Sequence, residues 1–409
     1  MNSTRAAVLA LLLPGVAIAA DWPQWLGPKR DNISSEKVEA WKDAPLVEWR
    51  LPVGPGYSVP VVSEGRVFVH ARVKGKEQEE IFALDAKTGK QIWHDLYERA
   101  PFTSVLNTGP QATPAVAGNR VYTYGITGVL TAYAADSGKR LWQVDCVKQF
   151  KTSVPRFGVC CSPLVVGNRV LVSVGGKGSS IVAFDTEDGS VAWQALDEPA
   201  GTTSPVLVRR KGALPDVVFM TTLRLIGVNP LDGAVNWEHP LVFQPAGTAP
   251  TPLIVGDLLV TTTIDNGTTV TRLEEKDDKT ATGRVWQNPD VGGYFSTGVA
   301  AGDYLYLVTN VLKPIPSASL KCVDLKSGKE MWAKKAIGAF HAGVIRTGND
   351  RLLVLDDTGT LRLAEANPKG YHELAKSKVC GGTFSAPALS DGRLYIRDDK
   401  EVLCLKLSD

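Results

Sequence analysis

The sequence predicts an all-β fold, an eight-bladed β-propeller of four-stranded antiparallel blades whose last blade is closed by the N-terminal strand. Three observations predict it: a recurring Asp…Gly…Trp hairpin motif, an interleaved Ser/Thr-Pro strand element, and chain ends that complement each other. The motif, apolar-x-Asp-x-x-x-Gly-x-x-x-Trp, begins as Ala83-Leu84-Asp85 and runs through Gly89 to Trp93, with further copies from Tyr133 to Trp142, Phe184 to Trp193, Val228 to Trp237 and Val323 to Trp332. A longer charged variant ends at Trp286, and in a degenerate copy, Glu365 to Tyr371, tyrosine takes the tryptophan place. The intervals from Trp93 to Tyr371 average about 46 residues, the length of a four-stranded blade.

The second element is Ser/Thr-x-Pro or a close variant, followed by an apolar pair, a Gly-centred turn and an alternating strand. It starts near Ser58, Thr113, Ser162 and Ser204, and again near Thr251, Ser296, His341 and Ser385. Ala115-Val116-Ala117, the turn Gly118-Asn119 and Val121-Tyr122-Thr123-Tyr124 read as one such hairpin, because side chains alternate with period two. This hairpin and the Asp…Gly…Trp hairpin together supply four strands per unit. The last unit offers Ala386 to Ile396 and Glu401 to Lys406, then stops before its tryptophan strand. Leu46 to Leu51, with Trp49 in the docking position, is the missing strand. Pairing the first strand with the last closes the ring and hides sheet edges, whereas a solenoid would need a cap at each end. The recurring tryptophan follows its Gly turn at a fixed offset, so it reads as packing between neighbouring blades rather than as a binding residue; the glycine is a turn requirement.

With 409 residues, 44% hydrophobic content and 22% charged residues, the chain has ordinary globular composition and ample length for a large core. The apolar run from Ala6 to Ala19 behind Arg5, ending in Ala17-Ile18-Ala19, reads as a cleaved signal peptide and is short for a bilayer span. The expected division is residues 1–20 signal peptide, 21–45 an N-terminal segment packing on the propeller, and 46–409 the propeller. Export, to periplasm or exterior, follows from that leader. Without Arg5 the chain carries 44 basic against 43 acidic residues and no long block of either sign, which argues against nucleic acid or an anionic membrane surface as partner. Six cysteines (Cys146, Cys160, Cys161, Cys322, Cys380, Cys404) sit where disulfides can persist, and their pairing is not readable. The five histidines show no metal-ligand spacing, and Gly175 to Ser180 reads as a hairpin loop rather than a phosphate loop, since no helix follows.

The motif is clearest at Asp85-Ala86-Lys87-Thr88-Gly89-Lys90-Gln91-Ile92-Trp93. It resembles the pyrroloquinoline quinone (PQQ) repeat of the quinoprotein alcohol dehydrogenase-like superfamily, and the likeness runs over nearly the whole mature chain. Trp22-Pro23-Gln24-Trp25-Leu26-Gly27-Pro28 is similar to the Trp-Pro-Gln-Trp-Arg-Gly-Pro opening of secreted PQQ-like propellers found in planctomycetes, with Leu26 in place of arginine. The resemblance implies two different activities: the PQQ-dependent dehydrogenases are enzymes, and the propeller lipoprotein of the outer-membrane barrel-assembly machinery binds proteins. Fold alone does not choose between them.

In the dehydrogenases an adjacent cysteine pair at the start of an innermost strand closes a disulfide ring over the quinone, and Cys160-Cys161 matches that position. Neighbouring Cα atoms stand about 3.8 Å apart, below the usual disulfide span of roughly 4.4 to 6.8 Å, so such a bond is strained and reducible. Packing, or pairing with Cys146, is the alternative. The dehydrogenases also stack the quinone on a floor tryptophan, and all ten tryptophans here are assigned elsewhere, seven to blades and Trp22, Trp25 and Trp41 to the N-terminal segment. Calcium ligands and an aspartate base have no recognisable motif. The loops entering the innermost strands converge on one mouth of the channel, and Tyr57, Gln111, Arg156, Phe157, Tyr294, His341 and Phe384, with Cys160 and Cys161, are the candidate cofactor-binding residues. The alternative is that they simply close the funnel. The expectation is therefore an exported, monomeric, non-catalytic binding or scaffold propeller for an envelope protein or glycan, without cofactor or metal; the alternative is a PQQ-dependent oxidoreductase of alcohols or sugars.

Overall fold

The computed structural model describes residues 21–209, 215–243, 248–276, 279–312 and 315–407; the signal peptide expected over 1–20 lies outside them. They form eight four-stranded antiparallel sheets. Seven are continuous in the chain, over 61–98, 115–145, 164–195, 206–240, 253–288, 299–335 and 342–378. The eighth joins Ala388–Ser390, Arg393–Arg397 and Glu401–Lys406 to Leu46–Pro52. There Leu46 pairs with Lys406 and Pro52 with Glu401, and an Arg50–Glu401 ion pair crosses the seam. Chain closure is thus the predicted one.

The burial of each strand follows from its place in the blade. In the second blade the two middle strands, Arg120–Tyr124 and Val129–Ala134, are apolar and buried almost throughout because neighbouring blades cover both faces. The outer strand Arg140–Asp145 exposes Arg140, Leu141 and Gln143 and buries Trp142. The innermost strand Ala115–Ala117 is only three residues long, at the crowded channel.

The indoles act as predicted at six blades. Each indole N–H donates to a backbone carbonyl just after the Asp (or its equivalent) of the next blade: Trp49 to Ala86 at 3.0 Å, Trp93 to Ala135 at 2.9 Å, Trp142 to Thr186 at 3.0 Å. Trp193 reaches Pro230 at 2.9 Å, Trp286 Leu325 at 2.8 Å and Trp332 Asn367 at 2.8 Å. The motif glycine has two reasons to be glycine. Gly138 has φ +72°, and a Cβ on it would stand 2.5 Å from the Trp93 ring.

Two positions correct the sequence reading. Trp237 turns back on its own blade: it donates to Asp216 Oδ2 at 2.8 Å and lies where a Cβ on Gly227 would be, 2.1 Å from the indole nitrogen. In the seventh blade the tryptophan place belongs to Ala375, not Tyr371. Ala375 pairs with Leu363 just before the β-bulge, as Trp93 pairs with Ala83 before its own. The hairpin is two residues longer than that of the first blade, which displaces the register. Tyr371 packs edge-on against Trp332 instead, 5.8 Å between centroids. Trp41 of the N-terminal segment joins the cluster that holds Ala375 and donates to Ser377 Oγ at 3.0 Å.

Residues 21–36 cross the channel and bond to every blade. Trp22 pairs with Val62 in both directions at 2.9 Å, and Pro23 accepts from Val116 N–H at 2.8 Å. Arg30, 3% exposed with φ +58°, donates to the carbonyls of Pro163, of Pro205 at 2.8 Å and of Ser162 at 3.5 Å, so its buried charge is surrounded by oxygen. Trp25 donates to Thr251 Oγ1 at 2.9 Å and Asn32 to Thr297 O at 3.3 Å. Asn32 O accepts from Arg346 N–H at 2.9 Å, and Glu36 accepts from Asp391 N–H at 2.8 Å. Its partners Glu64, Gly348 and Asp391 belong to turns between first and second strands, so the segment covers that end of the channel.

Candidate functional site

The innermost strands have no neighbour on their channel side, which leaves backbone N–H groups to be satisfied. The Ser/Thr of the Ser/Thr-Pro element does this across blades. Val59 N–H donates to Thr113 Oγ1 at 3.1 Å, Thr113 N–H to Ser162 Oγ at 2.9 Å, and Ser162 N–H to Ser204 Oγ at 2.9 Å. Ser204 N–H then meets Thr251 Oγ1 at 3.3 Å and Thr251 N–H meets Thr297 Oγ1 at 2.9 Å. Ala342 N–H donates to Ser296 Oγ at 3.2 Å, with the chain direction reversed. Proline, which has no N–H, removes further orphans along the same edge. These hydroxyls form a belt that the sequence shows only as a repeated dipeptide.

Above the belt, at the end opposite the covering segment, the entry loops converge on a cavity that opens to solvent. Seven of the nine predicted residues line it: Tyr57, Gln111, Phe157, Cys160, Tyr294, His341 and Phe384. Arg156 is absent from the lining; it sits in an adjoining groove, its guanidinium 5.4 Å from the Phe157 ring centroid. Cys161 is behind the wall, where its sulfur accepts from Ser173 N–H at 3.4 Å. Adjacent residues of an extended chain point to opposite sides, so one cysteine of the pair reaches the cavity and its neighbour does not. All six cysteines are free thiols, and burial pushes Cys160 up to about 12 and Cys161 to about 11.

Trp25 also lines the cavity, at the level of the Thr251 hydroxyl it bonds. The expectation that no tryptophan is free for the funnel is therefore corrected: the N-terminal segment delivers one from below. Leu106 and Phe295 complete the apolar lining. Phe384 is the hub of the rings, 5.3 Å from Tyr57, 5.6 Å from Phe295 and 6.1 Å from a nearly parallel His341.

The polar groups of the wall are mostly engaged with one another. Gln111 donates to Phe157 O at 2.6 Å and accepts from the Cys160 thiol at 3.2 Å; Thr202 donates to Thr248 O at 2.5 Å, and Thr248 to Thr262 O at 2.7 Å. The Tyr294 hydroxyl and His341 are exceptions among the described residues. His341 Nδ1 stands 3.0 Å from Ser296 Oγ, while Nε2 has no partner among the described residues. Ser296 Oγ also accepts from Ala342 N–H, and in the tautomer where its own proton points at Nδ1 the ring proton sits on Nε2. Burial holds this imidazole down to about 4 against the opposing pull of Asp357, so it is neutral at pH 7.

A metal-held PQQ does not fit this donor set. The lining contains no Asp, Glu, Lys or Arg to meet a carboxylate-bearing quinone, bind its metal or take a substrate proton, and Arg30 beneath is committed to backbone carbonyls. Among the described residues no group of three His, Cys, Asp or Glu side chains is placed to hold a metal ion.

Fold and site together define the class: an eight-bladed propeller with one covered end and an aromatic, uncharged funnel at the other. The chain belongs to the PQQ-repeat family whose model is described as outer membrane protein assembly factor BamB and matches residues 37–109, 77–334 and 316–406. Among solved structures it is similar to BamB from Moraxella catarrhalis, with TM-score 0.58 and 14% identity over 90% of this chain and 98% of that one. It is also similar to a europium-containing methanol dehydrogenase, with TM-score 0.68 and 14% identity over 94% and 89% of the two chains. The quinohemoprotein alcohol dehydrogenase from Comamonas testosteroni gives TM-score 0.65 and 13% identity over 95% and 80%. At such identities these likenesses speak to the fold. No curated protein matches. No helix among the described residues is long and apolar enough to cross a membrane.

Proposed function

We propose that this chain is an exported, non-catalytic propeller that binds a protein or glycan through its funnel end. The observation that carries this is the chemistry of the cavity: aromatic walls, Ser and Thr hydroxyls bonded to the blades, one neutral histidine and no ionised side chain. Such a wall buries an uncharged group well and offers nothing that takes or gives a proton near pH 7. Trp25 below and Cys160 at the side are what favours the oxidoreductase reading, since a planar ring would lie between them. Among the described residues that reading finds no carboxylate base in the lining and no metal site. The test adds PQQ with calcium to the purified chain and follows absorbance and dye-linked oxidation of alcohols and sugars. No spectral change at saturating cofactor is expected; a stoichiometric complex with turnover would overturn the proposal.

A further inference from the structure

The funnel is not a closed cup. A groove lined by Arg156, Asp197, Pro199 and Ala200 opens beside it, and Phe157 and Thr202 line both spaces. A ligand seated in the funnel therefore has room to continue sideways, as a polymer does and a lone small molecule does not. The two spaces differ in chemistry. Asp197 is engaged with Gly178 N–H at 2.6 Å, whereas Arg156 is exposed and, among the described residues, has the Phe157 ring as its neighbour and no carboxylate. The groove thus offers one cation clear of any carboxylate next to a funnel that offers aromatic rings and two polar groups without a hydrogen-bond partner among the described residues, the Tyr294 hydroxyl and the buried His341 Nε2.

The polymer is more specifically a polypeptide. A pyranose ring brings several hydroxyls, each of which weakens binding when buried without a partner. In the funnel Thr202 and Thr248 already donate to carbonyls, and Ser162, Ser204 and Thr251 already accept from backbone N–H groups of the blades. An aromatic side chain asks for much less: ring contact on its faces and one donor for its single oxygen. The rim agrees, since Val105 is 87% exposed beside Leu106, which lines the funnel and accepts from the Tyr57 hydroxyl at 3.3 Å. Exposed aliphatic side chains at the mouth of an aromatic pocket suit peptide side chains rather than sugar hydroxyls.

We propose that funnel and groove together receive a polypeptide segment with an aromatic residue, tyrosine above all, and a carboxylate residue a few positions away, the ring entering the funnel beside His341 and the carboxylate meeting Arg156. This rests on the binding-module reading and narrows it to one ligand class. Selection of random nine-residue peptides displayed on phage against the full mature chain tests it. The expected consensus is Tyr or Phe with Asp or Glu within about three positions. In a synthetic peptide of that consensus, replacing the ring by alanine weakens binding at least about tenfold, the loss of a buried aromatic anchor. The exposed Arg156→Glu variant, with melting temperature unchanged, turns the acidic preference into a preference for Lys or Arg. A consensus without an aromatic residue, or selected peptides that bind equally well to Thr202→Trp, whose new side chain fills the shared wall, would overturn the proposal. Saturable binding of maltohexaose or chitohexaose with no peptide selected overturns it too, but leaves the binding-module reading standing. PQQ-dependent turnover overturns both.

Discussion

Gly118 and Gly138 belong to one blade, and replacing each by alanine isolates what the indole contributes to holding blades together. Both have positive φ, +55° and +72°. A Cβ on Gly118 meets nothing within 4 Å, whereas one on Gly138 stands 2.5 Å from Cδ2 and 2.6 Å from Cε3 of Trp93. The left-handed backbone costs an L-residue roughly 1–2 kcal/mol at either site. The gain from restricting the unfolded chain, about 0.4–1 kcal/mol, is also common to both and cancels in the difference. Only Gly138→Ala displaces an indole that is packed and bonded to Ala135 O at 2.9 Å, and overpacking of that kind costs about 1–3 kcal/mol. Gly138→Ala is therefore expected to be the less stable variant by about 1–3 kcal/mol. Urea unfolding followed by tryptophan fluorescence measures this, as a difference in midpoints at unchanged m-value. Midpoints equal to within about 0.5 kcal/mol, near the resolution of such comparisons, would refute inter-blade packing as the reason for the motif glycine.

Two further predictions concern buried polar groups. His341 keeps a folded value of about 4 against 6.5, so the unfolded chain takes up a proton that the folded chain refuses. Stability then falls as pH drops from about 6.5 towards about 4 and levels off below; between pH 7 and pH 4.5 this group accounts for about 2–3 kcal/mol. His341→Gln should lose that share of the acid sensitivity, and an unchanged pH profile of urea midpoints would count against the neutral, buried imidazole. Arg30→Met leaves the carbonyls of Pro163 and Pro205 without their donor, at a cost of at least about 1–3 kcal/mol. Calorimetry should show a lowered melting temperature, and an unaltered one would mean that the covering segment does not depend on its guanidinium.

The repeat was legible because its causes are local. A turn that needs glycine, an aspartate that caps it and an indole a fixed distance beyond leave the same trace wherever they occur. Places where the trace misleads are those where a distant residue decides. Tyr371 looks like the docking residue as the aromatic next to the motif glycine, yet the strand pairing Ala375 with Leu363 sets the register. Trp237 has the right spacing and still bonds its own blade, because Asp216 offers an acceptor there and Gly227 leaves room for the ring. The funnel was partly legible for a similar reason. Entry loops of a propeller must converge, so Tyr57, Tyr294 and Phe384 could be named from their position in the repeat. Trp25 could not, since it precedes the first blade and reaches the funnel only because residues 21–36 cross the channel.

By itself the sequence determined the number of strands, their grouping into blades and the seam through Trp49, because those follow from periodic patterning and from an unpaired edge at each chain end. Tertiary structure alone decided which member of the Cys160–Cys161 pair reaches the cavity, that the Ser/Thr hydroxyls are spent on neighbouring blades, and that the funnel has a tryptophan. Each of these depends on residues tens to hundreds of positions apart meeting in space, and the distance between them along the chain carries no record of the meeting.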